Sequence, residues 1–175
     1  MLRKLKNINS QIKYDRYSQA LDQELKSSFA RREGFLYEML SYHMGWADQH
    51  GSPEDNQSNM HLPAILALTT CEQISGDFRH ALPVAAALEL MHNFTAVHGD
   101  VQNGGIESQT RPSIWWVWGP SQAINAGDGL HALARSAIMH LSEKNLDPDV
   151  TLQAIKTLDE ACLSFCEGQY MDLTF

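Results

Sequence analysis

The side chains with the most chemical capacity fall close together: His92, Asn93, His98, Asp100, Gln102 and Asn103 gather at the far end of a strongly apolar run. Two imidazoles beside a carboxylate are donor types that suit zinc. Six residues separate His92 from His98, however, which does not put both on one helix face, so no transition-metal site is expected there. Cys71, Cys162 and Cys166 form neither a zinc spacing nor an even disulfide set. Cys162 and Cys166 share a helix face at four-residue spacing and are expected as two buried thiols. The formal net charge is −8, with only 13 Lys and Arg. Nucleic acid is thereby excluded as the main partner, because phosphate binding needs a basic face. A polyanionic ligand would likewise need local cations or a metal.

These residues must be positioned by helices. Positions 14–30 carry Tyr17, Leu21, Leu25 and Phe29 at helical spacing, and 35–47 carry Leu36, Met39, Leu40 and Met44. The stretch 48–59 is rich in Gly, Ser, Pro, Asp and Asn and breaks the pattern. Pro63 opens a short helix to about Ile74, stopped by Gly76. Positions 77–103 are apolar nearly all round at Ala81, Leu82, Val84 to Leu88, Leu90, Met91 and Phe94, as in a helix interior to a bundle. A loop follows over 104–119, with Trp115, Trp116 and Trp118 expected to pack the bundle. Helices are then expected over 120–142 and from Asp147 onward, with Asp147 as cap and Pro148 at the first helical position. Asn125 and Asp128 are expected to make helix-to-helix hydrogen bonds. No strand pattern appears, so the class is all-α in a single domain over 1–175. The basic start at Met1 is followed by no apolar stretch, and no run of about 18 apolar residues occurs. Neither a leader nor a membrane span is therefore expected, and the location is expected to be cytoplasmic.

His92-Asn-Phe-Thr-Ala-Val-His-Gly-Asp100, Arg111-Pro-Ser-Ile-Trp-Trp-Val-Trp-Gly119 and Gln122-Ala-Ile-Asn-Ala-Gly-Asp-Gly-Leu130 together resemble trans-isoprenyl diphosphate synthases, the polyprenyl synthetase family. The likeness extends upstream through Tyr42-His-Met-Gly-Trp46 and Leu62-Pro-Ala-Ile-Leu66, and downstream to Cys166-Glu-Gly-Gln-Tyr-Met-Asp172. It covers about residues 35–175. It implies an antiparallel helical bundle of the isoprenoid synthase type around a deep apolar pocket. Here that bundle is truncated to about six helices, the family's N-terminal half, without a second aspartate-rich motif. The activity implied is transfer of an allylic group to isopentenyl diphosphate, with Mg²⁺ on two aspartate-rich motifs drawing off the diphosphate. A homodimer is the implied assembly.

At three anion-handling sites this sequence departs from that pattern. The first motif, Asp-Asp-x-x-Asp, aligns with Gly99, Asp100, Val101, Gln102 and Asn103. Positions 99 and 103 lie one above the other on a helix, where two carboxylates can share metal ions that bridge to a diphosphate. Glycine offers no ligand and asparagine only a neutral oxygen, which leaves Asp100 as the one candidate Mg²⁺ ligand. The arginine pair after the motif, which grips diphosphate by charge-assisted bonds, aligns with Ser108 and Gln109. Arg111 is retained before Pro112 as a possible diphosphate contact. The Gly-Lys-Arg-x-Arg-Pro site for isopentenyl diphosphate aligns with Ser58, Asn59, Met60, His61, Leu62 and Pro63. Phe94 and Thr95, just before the motif, are candidate pocket-floor residues, and Gln169 and Asp172 match the family's Gly-Gln-x-x-Asp helix near the pocket.

The function expected is therefore a catalytically impaired or non-catalytic prenyltransferase-like subunit, with Mg²⁺ weak or absent. It would be stable as a homodimer or as a heteromer with a catalytic prenyltransferase subunit. Two alternatives remain. One is an active prenyltransferase working through Asp100, Asn103 and Arg111; the other is a helical module that binds an isoprenoid or other lipid.

Overall fold

Helix α4 (Leu82–Asn103) is the element around which the chain is built. The computed structural model describes residues 2–30, 32–54, 61–108, 111–144 and 146–174. Pro83 sits in the first turn of α4, where its missing N–H costs nothing. Ala85, Ala86, Ala87, Leu90 and Val97 are buried on it. Helix α6 (Pro120–Met139) runs along α4 and buries Ala123, Ala126, Leu130, Ala134 and Ala137. Small side chains on both helices let the backbones approach, and this is the most extensive packing in the molecule. Gly127 marks the closest point. A Cβ there would stand 2.2 Å from Cδ2 and Nε2 of the His98 ring on α4. The imidazole thus lies against the α6 backbone, with Nε2 3.2 Å from the Ile124 carbonyl oxygen and its ring edge-on to Phe94 at 4.8 Å.

The other elements close around this pair. Helix α1 (Leu2–Phe29) buries Tyr17, Leu21 and Leu25. Helix α3 (Leu62–Ser75) is tied to it by Glu72, which accepts from Lys13 at 3.2 Å and from Arg16 and Tyr17. Helix α2 (Phe35–His43) buries Met39 and Leu40 and packs on α6. After α4 come a two-stranded hairpin, β1 (Glu107–Ser108) antiparallel to β2 (Arg111–Pro112), and helix α5 (Ile114–Trp118). Helix α7 (Pro148–Thr174) starts at Asp147, whose Oδ1 accepts from the Asp149 N–H at 3.0 Å. Only Thr151 and Leu158 are buried along α7, which meets the rest mainly through α6 and the 3₁₀ turn His140–Lys144.

The all-α class holds, with differences of detail. Helix α1 begins at Leu2 rather than at 14, and Leu2, Leu5, Ile8 and Ile12, at spacings of three and four, extend the apolar period ahead of Tyr14. The second helix stops at His43 rather than 47: the chain tightens there, with the Gly45 N–H on the Tyr42 carbonyl at 3.0 Å. The segment 77–103 is two elements, since Asp77 caps a 3₁₀ turn, Phe78–Ala81, ahead of Pro83. The hairpin and α5 add a small sheet and a seventh α-helix to the expected six. Helix α6 ends at Met139, and the chain to Lys144 is 3₁₀. Trp115 and Trp118 pack on the core as expected, whereas Trp116 is exposed. Cys162 and Cys166 are not two buried thiols: the first is half-buried and the second exposed, because both line open cavities between α7 and α4 instead of close-packed core. Asn125 bonds Gln122 within α6 at 3.4 Å instead of reaching another helix. Asp128 lies towards α4 without a hydrogen bond to it, its Oδ1 3.7 Å from His98 Nε2.

The α4–α6 contact yields a paired prediction. Gly127→Ala must displace the His98 ring and costs about 1–3 kcal/mol of stability. Gly99→Ala, whose Cβ would meet only Asn103 Nδ2 at 3.9 Å, is neutral or stabilises by up to ~1 kcal/mol. Urea unfolding of the two variants beside the parent chain checks both.

Candidate functional site

The last turn of α4 brings Gly99, Asp100 and Asn103 to one end of the bundle as the sequence spacing requires. Gly99 contributes backbone alone, and the Asn103 side chain is exposed. Asp100 is half-buried beneath the chain that follows. The Gly105 N–H bonds the Asp100 carbonyl at 2.9 Å, and a Cβ on Gly105 would be 3.1 Å from Asp100 Oδ1. Burial raises the pKa of this carboxyl, and a hydrogen bond from Ser108 partly offsets the rise by favouring the ionised form. Ser108, buried on β1, is one of the positions where the family resemblance calls for arginine. Gln109, Ser58, Asn59 and Met60 lie outside the described residues.

Arg111 does not join Asp100. Its Nη1 donates to the carbonyls of Tyr42 at 2.8 Å and Ala47 at 3.0 Å, and Nη2 donates to Glu54 Oε2 at 3.0 Å. The guanidinium also lies over the Tyr42 ring at 4.9 Å, and the Tyr42 hydroxyl donates to the Pro112 carbonyl at 2.8 Å. With 13% of its side chain exposed, the group clamps the hairpin to the loop after α2.

Phe94, Thr95 and Gln169 do come together. They line a cavity of about 270 Å³ between α4 and the second half of α7, with His98, Gln102 and Tyr170 among the other walls. Asp172 is exposed on α7 and is not part of that lining. A second cavity of about 300 Å³, lined by Leu88, Met91, Leu158 and Cys162 among others, abuts the first through Thr95 and Phe165.

One buried polar group lies outside the residues that the sequence singled out. Glu89, on the face of α4 turned away from this cleft, is 1% exposed. Its Oε1 lies 3.1 Å from His61 Nδ1 and accepts from Asn93 Nδ2 at 3.2 Å. His43 from α2 joins them, fully buried, and burial depresses its pKa from 6.5 to about 4; nearby Asn93 and Glu89 oppose the shift, while Arg111 and His92 add to it. Glu89 and Asn93 stand four residues apart, so a shared polar interior was legible as spacing. The all-apolar appearance of the segment hid it. Among the described residues, no group of three or more His, Cys, Asp and Glu is arranged to hold a metal ion, and no helix is long and apolar enough to cross a membrane.

The comparisons with known proteins agree with this architecture. The family profile for polyprenyl synthetase matches residues 59–175, and the chain belongs to that family. It is 39% identical over 137 residues to the geranylgeranyl diphosphate synthase of Mycobacterium tuberculosis, covering 78% of this chain and 38% of that protein. It is 32% identical over 157 residues to a short chain isoprenyl diphosphate synthase of Methanocaldococcus jannaschii, covering 90% of this chain and 43% of the relative. The crystal structure of a polyprenyl synthetase from Streptomyces coelicolor superposes with a TM-score of 0.83 at 29% identity, over 94% of this chain and 47% of that one. The chain thus spans less than half the length of each of these relatives.

The site geometry predicts two outcomes. Arg111→Ala strands two carbonyls and Glu54, and lowers stability by about 2–3 kcal/mol in chemical denaturation; Arg111→Lys recovers little, because an ammonium cannot span all three acceptors. For His43, the unfolded chain takes up a proton below pH 6.5 that the folded chain refuses until about pH 4. Its contribution to stability is therefore complete above pH 6.5 and declines as the pH falls towards 4, by about 3 kcal/mol in all. Unfolding free energies measured at pH 7, 5.5 and 4 test this, and His43→Gln should flatten that part of the slope.

Proposed function

We propose that this chain is a prenyltransferase-like subunit that keeps the helical scaffold of its family without the chemistry that ionises an allylic diphosphate. The observation that carries this reading is the donor set at the end of α4. A glycine, an exposed amide and one half-buried carboxyl occupied with Ser108 do not fit a cluster of magnesium ions bridged to diphosphate. Bound Mg²⁺ would supply Lewis acidity towards the leaving group, and this site offers it a single anionic ligand. The retained arginine is spent on two carbonyls and a glutamate of its own chain. Apolar side chains exposed along α3 and α7, among them Leu66, Ile74, Leu163 and Met171, support the further part of the reading. The subunit works against a partner, either a second copy or a catalytic prenyltransferase chain.

A prenyl-transfer assay tests the proposal, using the purified chain with Mg²⁺, isopentenyl diphosphate and C5, C10 and C15 allylic diphosphates. No product is expected. Product whose formation Asp100→Ala abolishes would overturn the reading. The double variant Gly99→Asp, Asn103→Asp is expected to bind Mg²⁺ at least tenfold more tightly than the parent chain by titration calorimetry, since position 99 has room for a side chain.

A further inference from the structure

Cys162 and Cys166 stand four residues apart on α7, so their side chains leave the helix on one face with Cβ atoms about 5–6 Å apart. Both border the space between α7 and α4. Cys162 lines the cavity that also holds Met91 and His92, and Cys166 lines the adjoining one with His98. The two thiols act on each other. Burial pushes the Cys162 thiol up, the charge of Cys166 and a hydrogen bond with it add to the rise, and Asp159 adds last. Cys162 is half-buried and Cys166 exposed, so solvent reaches both. The third cysteine, Cys71, lies apart on α3, where its thiol donates to the Asp77 carbonyl at 3.3 Å.

Spacing decides what such a pair can do. A disulfide needs Cβ atoms about 3.5–4.5 Å apart, closer than an intact helix brings them at this separation. A bridging ion adds one atom to the span and fits. The donors at hand decide which ion. Zinc in a closed site takes four ligands, and among the described residues no group of three or more His, Cys, Asp and Glu is arranged to hold a metal. His98 Nε2 is turned to the Ile124 carbonyl at 3.2 Å. Two thiols remain, with the Met91 thioether lining the same cavity as Cys162. Sulfur donors of this kind select a soft ion, and the open cavities beside them leave room for it.

We propose that Cys162 and Cys166 together chelate one soft monovalent cation of the copper(I) class on the α4 side of α7. Each thiol releases its proton to solvent as its sulfur bonds the ion, and no electron is transferred. The site is independent of whether the chain turns over a prenyl substrate.

The test is anaerobic titration of the full chain with copper(I) delivered from a chromophoric chelator of known affinity. One ion per chain is expected, with thiolate-to-copper absorption in the ultraviolet. Cys162→Ser and Cys166→Ser should each weaken binding at least a hundredfold, whereas Cys71→Ser should change it less than twofold. The double variant Cys166→Ser, Glu167→Cys keeps the thiol count but moves one thiol off the shared face, and it should bind as weakly as the single variants. Affinity should rise as the pH is raised from 6 to 8, because both thiols must lose protons, Cys162 against a raised pKa. Zinc should bind at least a hundredfold more weakly than copper(I). The proposal is overturned by one ion per two chains, by full affinity in either serine variant or in the moved-thiol variant, by zinc binding as tightly, or by no copper(I) taken from the chelator.

Discussion

The closeness of α4 to α6 is the constraint on which the other contacts depend. Alanines on both helices and the bare backbone of Gly127 bring the two together until the His98 ring rests on α6. That leaves α4 with one stripe fully used, a second turned to α3, α1 and α2, and a third with little but α7 to face. The first stripe fixes the direction of the last turn, and so where Gly99, Asp100 and Asn103 stand. The third becomes the wall of the cleft. A larger residue at 127 would push the helices apart and move both ends of the site at once, since packed interiors transmit volume changes rather than absorb them.

Around this pair the polar residues are turned inward. Arg111 satisfies two carbonyls and Glu54, and so holds the β1–β2 hairpin on the loop after α2. Ser108 serves Asp100. His61, at the start of α3 with a φ of +38°, stands against buried Glu89, and Leu62 beside it, where the family resemblance calls for an arginine, is exposed hydrocarbon. A guanidinium or carboxylate with its valences filled internally gains stability from those partners. It would have to break them to hold a ligand, so commitments that stabilise the fold work against anion binding at the same positions.

Much of this architecture is legible in the sequence. The 3.6-residue period over 17–29, Gly76 after α3, and prolines in the first turns of α3 and α7 are local signals that the structure follows, whereas the starts of α1 and α4 lie elsewhere than expected. The likeness around residues 92–130, with its continuation at 166–172, pointed to Phe94, Thr95 and Gln169 as pocket residues, and these three line one cavity across more than seventy positions, which no local rule foresees. What failed was tertiary. The fate of Cys166 depends on what lies beside α7, not on its spacing from Cys162. The burial of Glu89 depends on His61 and Asn93 approaching it. The clamp made by Arg111 depends on carbonyls sixty-four and sixty-nine residues away. A side chain's type states what it can bond, and only the packing of helices decides which bonds are offered.

The same packing explains why an apolar cleft stands open between α4 and the second half of α7. Phe94 is buried against His98 and His131, and Thr95 and Leu88 are half-held by α4's own neighbours, so the α4 wall is fixed by the core and would remain if nothing bound there. The α7 wall is different. Past Leu158 that helix buries nothing fully, so its Phe165, Gln169 and Tyr170 side is held only as well as the space between the helices is filled. Unfilled apolar surface of this extent is costly in water. Whatever covers this side of α7 gains that burial, whereas the α4 wall is already held by α6.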